Sequence, residues 1–210
     1  MTQRKPIIGI AGGIGSGKSF IAGLFGEAGC LVISSDDQVR DAYRDQRVRT
    51  TLKQWWGDDV LTAAGEVNKR VVAQRVFANP DERERLERLL HPMVNEARER
   101  VMSSAVDDPT VPAFVWDTPL LFETGLHAKC DAVVFVDAPL SVRLARVQGG
   151  RGWDAGELTR RENSQMPLDI KRNLSQYVIE NTADAGTVRG QVRAVLSRIL
   201  ERSVGNAGPV

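Results

Sequence analysis

Eight consecutive residues, Gly12-Gly13-Ile14-Gly15-Ser16-Gly17-Lys18-Ser19, match the pattern G-x-x-x-x-G-K-[ST] in full. The chemistry such a stretch supports is polyphosphate binding. Glycines let successive backbone N–H groups curl around phosphate oxygens with no side chain in the way. Lys18 is placed to reach the β- and γ-phosphates, and the Ser19 hydroxyl to ligate Mg²⁺. The stretch also has the surroundings it needs. The apolar run 7–11 precedes it, and Ile21, Leu24, Phe25 and Ala28 follow at helical spacing up to Gly29. A helix N-terminus beneath the phosphates adds partial positive charge. The chain is expected to bind a nucleoside triphosphate.

Three carboxylates follow apolar runs. Asp36 comes after the run 31–33 and is the candidate for orienting and deprotonating an acceptor hydroxyl, since ligands bind beyond the strand ends of open α/β sheets. The plainer alternative is that Asp36 and Asp37 only complement a helix dipole. Asp117 and Asp137 end two further runs, and either suits a place near Mg²⁺. Ala138-Pro139 after Asp137 favours a strand-to-helix turn or an N-cap there. Lysine occurs only at positions 5, 18, 53, 69, 129 and 171, so arginine supplies most of the 28 basic residues. Its planar fork suits phosphate, although coding bias explains such a composition equally well.

The elements that must hold these groups are legible in outline. The runs 7–11, 31–33, 113–116, 132–136 and 178–179 read as buried strands alternating with helical segments, which means a parallel sheet covered on both faces. Val188, Val192, Val195, Leu196, Ile199 and Leu200 form the apolar face of a C-terminal helix. Residues 36–105 show helical patterns and no buried strand, and read as an insertion after the second strand. One of its helices is expected to start at Ser35 with Gln38 completing a capping box. Another starts at Asn79-Pro80-Asp81-Glu82, with Pro92 breaking or kinking it. Trp55 and Trp56 fit its core better than a base-stacking role. Residues 148–173, glycine-rich at the start and crowded with arginine, read as a mobile flap. The organisation is core 1–35, insertion 36–105, core 106–147, lid 148–173 and core 174–210, ending in a frayed tail from Ser203.

At 210 residues, 42% hydrophobic and with a formal net charge of +1, the chain offers no global field for nucleic acid or an anionic membrane. Cys30 and Cys130 lack metal-ligand spacing and read as buried free thiols. No secretory leader and no apolar run of about 18 residues is present, so a cytoplasmic protein is expected. A guanine-reading N-K-x-D is absent, because Asn68-Lys69 continues Arg70-Val71, which weakens a GTPase reading. An insertion and an arginine-rich flap that together close over two substrates favour a kinase. Flap arginines can also neutralise charge on the transferring group. A kinase of another nucleotide or sugar, or a nucleotide-dependent binding switch, remains open at this point.

Further motifs resemble the dephospho-coenzyme A kinase family. The phosphate loop is similar to the family's form, and Val32-Ile33-Ser34-Ser35-Asp36 falls where the family has D-A-D, so Asp36 matches its catalytic aspartate. Phe77-Ala78-Asn79-Pro80, Leu89-Leu90-His91-Pro92 and Pro119-Leu120-Leu121-Phe122-Glu123 resemble its F-A-N-P, L-L-H-P and P-L-L-F-E segments. Arg161, Gln165 and the stretch Val178-Ile179-Glu180-Asn181 resemble its lid and last strand. The resemblance implies a P-loop NTPase fold, a three-layer α/β/α parallel sheet with a helical acceptor-binding insertion and a lid. It implies MgATP-dependent phosphorylation of the 3′-hydroxyl of dephospho-coenzyme A by a monomer or weak homo-oligomer. Carried over residue by residue, it implies that Phe20 and Asn181 join the loop in binding ATP. Arg40, Lys69, His91, Pro119, Leu120, Leu121, Phe122, Glu123 and Arg161 would bind the acceptor with Asp36, and Arg146 and Arg151 would assist transfer. Ser34 replaces the first aspartate of D-A-D, Lys69 an arginine, Phe20 a threonine, and Ser175-Gln176 an A-D pair.

Overall fold

The structure is a computed structural model that describes residues 4–182 and 184–205. These residues divide into two compact units: Ser34–Ser104, and the chain before and after it.

The first unit is built on a sheet of β1 (Ile7–Gly12), β2 (Leu31–Ser34), β3 (Phe114–Asp117), β4 (Ala132–Asp137) and β5 (Tyr177–Glu180), in the order β2-β3-β1-β4-β5. β1 runs parallel to β3 and β4, and β4 to β5. All six residues of β1 are buried, as the continuous apolar run requires of a central strand. Side chains alternate between the faces. Ile8, Ile10, Ala132, Val134 and Val136 face α1 (Lys18–Glu27) and α9 (Ala185–Gly205), where Ile21, Phe25, Val188, Val192 and Ile199 meet them. Ala11, Val133 and Phe135 face the other way, against Leu121, Phe122, Met166 and Leu168. Gly9 points there too. A Cβ on it would lie 2.7 Å from Leu121 Cδ2 and 2.9 Å from Cys130 Sγ, so the second layer rests directly on the strand. Both cysteines are free; Cys30 is buried, and its burial pushes the thiol up to about 12, while Cys130 is half-buried.

The expected flap is helical. α6 (Leu140–Arg151) runs through Gly149 and Gly150, followed by α7 (Ala155–Glu162) and α8 (Leu168–Asn173). Its few apolar residues are well used, because Leu158 is buried and Met166 and Leu168 join the cluster under Phe122. As expected, Asp137 and the residues after it turn the chain from β4 into α6, but Asp137 is not the N-cap: its carboxylate pairs with Arg172, and Pro139 occupies the cap of α6 without a side-chain bond. The tail from Ser203 falls largely outside the described residues, the described helix ending at Gly205.

The second unit comprises α2 (Ser35–Ala42), α3 (Gln46–Trp56), α4 (Lys69–Ala78) and α5 (Pro80–Ser104). Val48, Leu52, Trp56, Val72, Leu86 and Leu90 share its core, with Trp55 edge-on to Trp56 at 5.9 Å and beneath the Arg85 guanidinium. Three local expectations are corrected. The cap of α2 is Ser34, whose Oγ accepts from Asp37 N at 3.3 Å, because β2 extends one residue further and Ser35 is already helical. Asn79 Oδ1 accepts from Asp81 N at 2.9 Å, but Glu82 does not close a capping box: Trp56 Nε1 donates to its carboxylate at 2.8 Å. Pro92 does not break α5, which continues to Ser104 with Leu86, Leu90 and Val94 buried on both sides of it. That burial outweighs a lost hydrogen bond and ring clash of about 3 kcal/mol.

Candidate active site

Gly17, at φ 92° and ψ 33°, is the left-handed residue from which α1 starts. A Cβ there would stand 2.3 Å from Asn181 Nδ2, and one on Gly15, at φ 77°, 2.6 Å from Arg143 O. Both backbone conformation and crowding therefore demand glycine. Lys18 Nζ folds back over the loop and donates to Gly12 O at 3.1 Å and Gly13 O at 3.0 Å. Burial, then the Lys171 charge, lower its ammonium to about 8; Asp117 opposes this, Arg151 adds to it and Glu123 opposes it weakly. Five charged groups thus converge where β1 and β3 end.

The carbonyl side of the loop is held from outside. Asn181 Nδ2 donates to Ser16 O at 2.7 Å. Arg146, on α6, donates to Ser16 O at 3.0 Å, to Gly15 O at 3.4 Å and to Asn181 O at 2.9 Å. Asn181 was expected on ATP and Arg146 on the transferring phosphoryl; the structure uses both to hold the loop. Arg151 ends α6 with its guanidinium over the Trp153 ring at 4.8 Å, and its charge reaches Lys18. Arg161 lies over the same Trp153 ring at 4.1 Å and bonds Glu157 at 2.6 Å.

Three participants escaped sequence reasoning. Buried Arg143 donates to Ala138 O at 3.2 Å and Ile14 O at 3.3 Å and pairs with Glu162, which accepts from Ile14 N at 3.2 Å. The only available signal was the helical spacing of Arg143 and Arg146 behind a strand. Lys171, within the segment read as a mobile flap, is 2% exposed and lies 2.7 Å from Glu123 Oε1. Burial alone would raise the Glu123 carboxyl, but bonds from Lys171 and the Met166 amide hold it below the ordinary range. Glu123, expected at the acceptor, is therefore engaged within the unit. Leu121 and Phe122, also expected at the acceptor, are both buried in the apolar cluster on this face of the sheet. His127 is half-buried with its ring 4.8 Å from that of Phe122. Pro119 is exposed and Leu120 half-buried.

Ser19 and Phe20 are exposed in the first turn of α1, and Asp117 ends β3 near enough to Lys18 for its charge to act there. No cage of three or more His, Cys, Asp or Glu exists among the described residues. One hydroxyl and one carboxylate beside a phosphate loop fit Mg²⁺, which takes few protein ligands and keeps phosphate oxygens and waters. In the second unit Asp36 is exposed in the first turn of α2. Arg40 pairs with Asp37, Lys69 is the exposed first residue of α4, and His91 is exposed within α5.

Residues 6–186 match the family model described as dephospho-CoA kinase. A dephospho-CoA kinase from Syntrophotalea carbinolica is 36% identical over 196 residues, covering 92% of each chain. A solved structure from Thermus thermophilus is 31% identical, with a TM-score of 0.80 over 93% of this chain and 98% of its own. A shikimate kinase from Acinetobacter baumannii, 16% identical with a TM-score of 0.55 over 95% of this chain and 96% of its own, shares the fold.

Proposed function

The chain belongs to the dephospho-CoA kinase family, and from that premise we propose how its residues transfer a phosphoryl group from ATP to dephospho-CoA. The observation that carries the reading is Lys18, folded over the loop carbonyls at the start of α1 with its charge shaped by four neighbours.

Loop N–H groups and the α1 N-terminus hold the β- and γ-phosphates, and Lys18 offsets charge that grows as the γ-phosphoryl leaves ADP. Asp36 accepts the proton of the ribose 3′-hydroxyl, whose oxygen takes the phosphoryl group. Ser19 and Asp117 would hold Mg²⁺, which when bound neutralises phosphate charge. Arg151 is the arginine nearest this role, since Arg146 is committed to loop carbonyls. Arg40, Lys69, His91, Pro119, Leu120 and Arg161 remain our candidates for the acceptor. We take the enzyme to be cytoplasmic and a monomer or weak homo-oligomer; its net charge of +1 offers no global field for nucleic acid or an anionic membrane.

The test mixes the protein with MgATP and dephospho-CoA, follows CoA by mass spectrometry, and runs AMP and UMP as rival acceptors. Wild type should form CoA, and Asp36→Asn should form it about 10²–10⁴-fold more slowly, the range for a lost general base. Equal rates would remove Asp36 from the mechanism. ATP binding with no CoA formed would instead favour the nucleotide-dependent switch.

A further inference from the structure

Lys171 belongs to α8 and Glu123 to the segment after β3, 48 positions apart in sequence numbering (171 − 123) and joined at 2.7 Å with side chains 2% and 19% exposed. The same Glu123 oxygen accepts from Met166 N at 3.0 Å, and Lys171 Nζ donates to Gln165 Oε1 at 3.0 Å. An ammonium so enclosed persists only with its charge compensated and its donors used. Beneath the pair, Leu121, Phe122, Met166 and Leu168 share one apolar cluster. Polar and apolar contacts therefore bind the segment after β3 to the arginine-bearing stretch 148–173 at one place, beside Lys18, where the Lys171 charge is felt.

That junction matters for which nucleophile takes the phosphoryl group. In a kinase, water competes with the acceptor, and the site suppresses hydrolysis by enclosing the γ-phosphate. We infer that Glu123 and Lys171 are positioning residues that latch α8 to the end of β3 and so direct the phosphoryl group to the acceptor hydroxyl instead of water. The inference rests on reading 148–173 as the lid. With the latch broken, water attacks the γ-phosphorus, the P–O bond to ADP breaks, and inorganic phosphate and a proton are released in place of CoA.

The experiment compares ADP and CoA produced by wild type, Lys171→Arg, Glu123→Gln and the neutral double variant Glu123→Gln/Lys171→Met, with melting curves to verify folding. Lys171→Met alone is avoided, because it strands a buried carboxylate. Wild type and Lys171→Arg should yield equal ADP and CoA. The double variant should make CoA roughly 10- to 100-fold more slowly, the cost of small misplacements at a reacting centre, with ADP in several-fold excess and KM for ATP little changed. Glu123→Gln alone strands the buried Lys171 ammonium, so it should show the same excess in at least equal degree. Folded variants with wild-type kcat and equal ADP and CoA would overturn the latch. ADP in excess already in wild type, and unchanged in the variants, would overturn the lid reading together with it.

Discussion

Lys18 is the residue whose type announced its chemistry and whose neighbours set its working range. A lysine with an ordinary ammonium would stay charged through pH 10; this one, enclosed and beside Lys171, is brought to about 8. Below that pH it is charged and attracts phosphate; above it the free protein loses the charge, and bound phosphate can only restore it at the expense of affinity. ATP affinity measured in EDTA by calorimetry should therefore fall as pH rises through about 8. A flat profile from pH 7 to 10 would show that Lys18 keeps its proton in the free protein. Arginine roles were harder to read, because the same fork that grips phosphate also grips carbonyls. Arg146 and Arg143 bond Ser16 O and Ile14 O, atoms that no sequence pattern points to.

At the scale of elements, the ends of helices carry the chain's individuality. Ser34 stands where the family resemblance has an aspartate, and it serves α2 as N-cap through the Asp37 amide. Aspartate caps equally well, so the replacement preserves the helix while removing a charge. Ser34→Ala should cost about 1 kcal/mol in urea unfolding, the usual worth of a cap, and Ser34→Asp almost nothing. If alanine is neutral, the 3.3 Å bond contributes nothing to α2. Pro92 teaches the converse. A single residue's preference ends a helix only where packing is indifferent, and α5 keeps Leu86, Leu90 and Val94 buried across it.

The whole molecule depends on a sheet whose two faces are covered differently, by α1 and α9 on one side and by the segment after β3 with the base of 148–173 on the other. Leu121 anchors the second face against Gly9, so Leu121→Ala should cost about 2–5 kcal/mol, as core truncations do, and lower the melting temperature. A loss under about 1 kcal/mol would mean that this layer closes over the cavity or is loosely packed. Local chemistry was legible in the sequence: the phosphate loop, the strands as apolar runs, and the face of α9 follow from residue type and spacing, since each acts within a few residues. The match of spaced motifs also brought out the kinase family and its acceptor before any contact was seen. Only the tertiary structure decided that Leu121 and Phe122 are core, that Arg146 and Asn181 hold the loop, and that Lys171 is buried on Glu123. These depend on which distant segments the sheet brings together, and burial, which decides whether a charge is solvated or spent on a partner, is a property of the packed molecule and not of any stretch of chain.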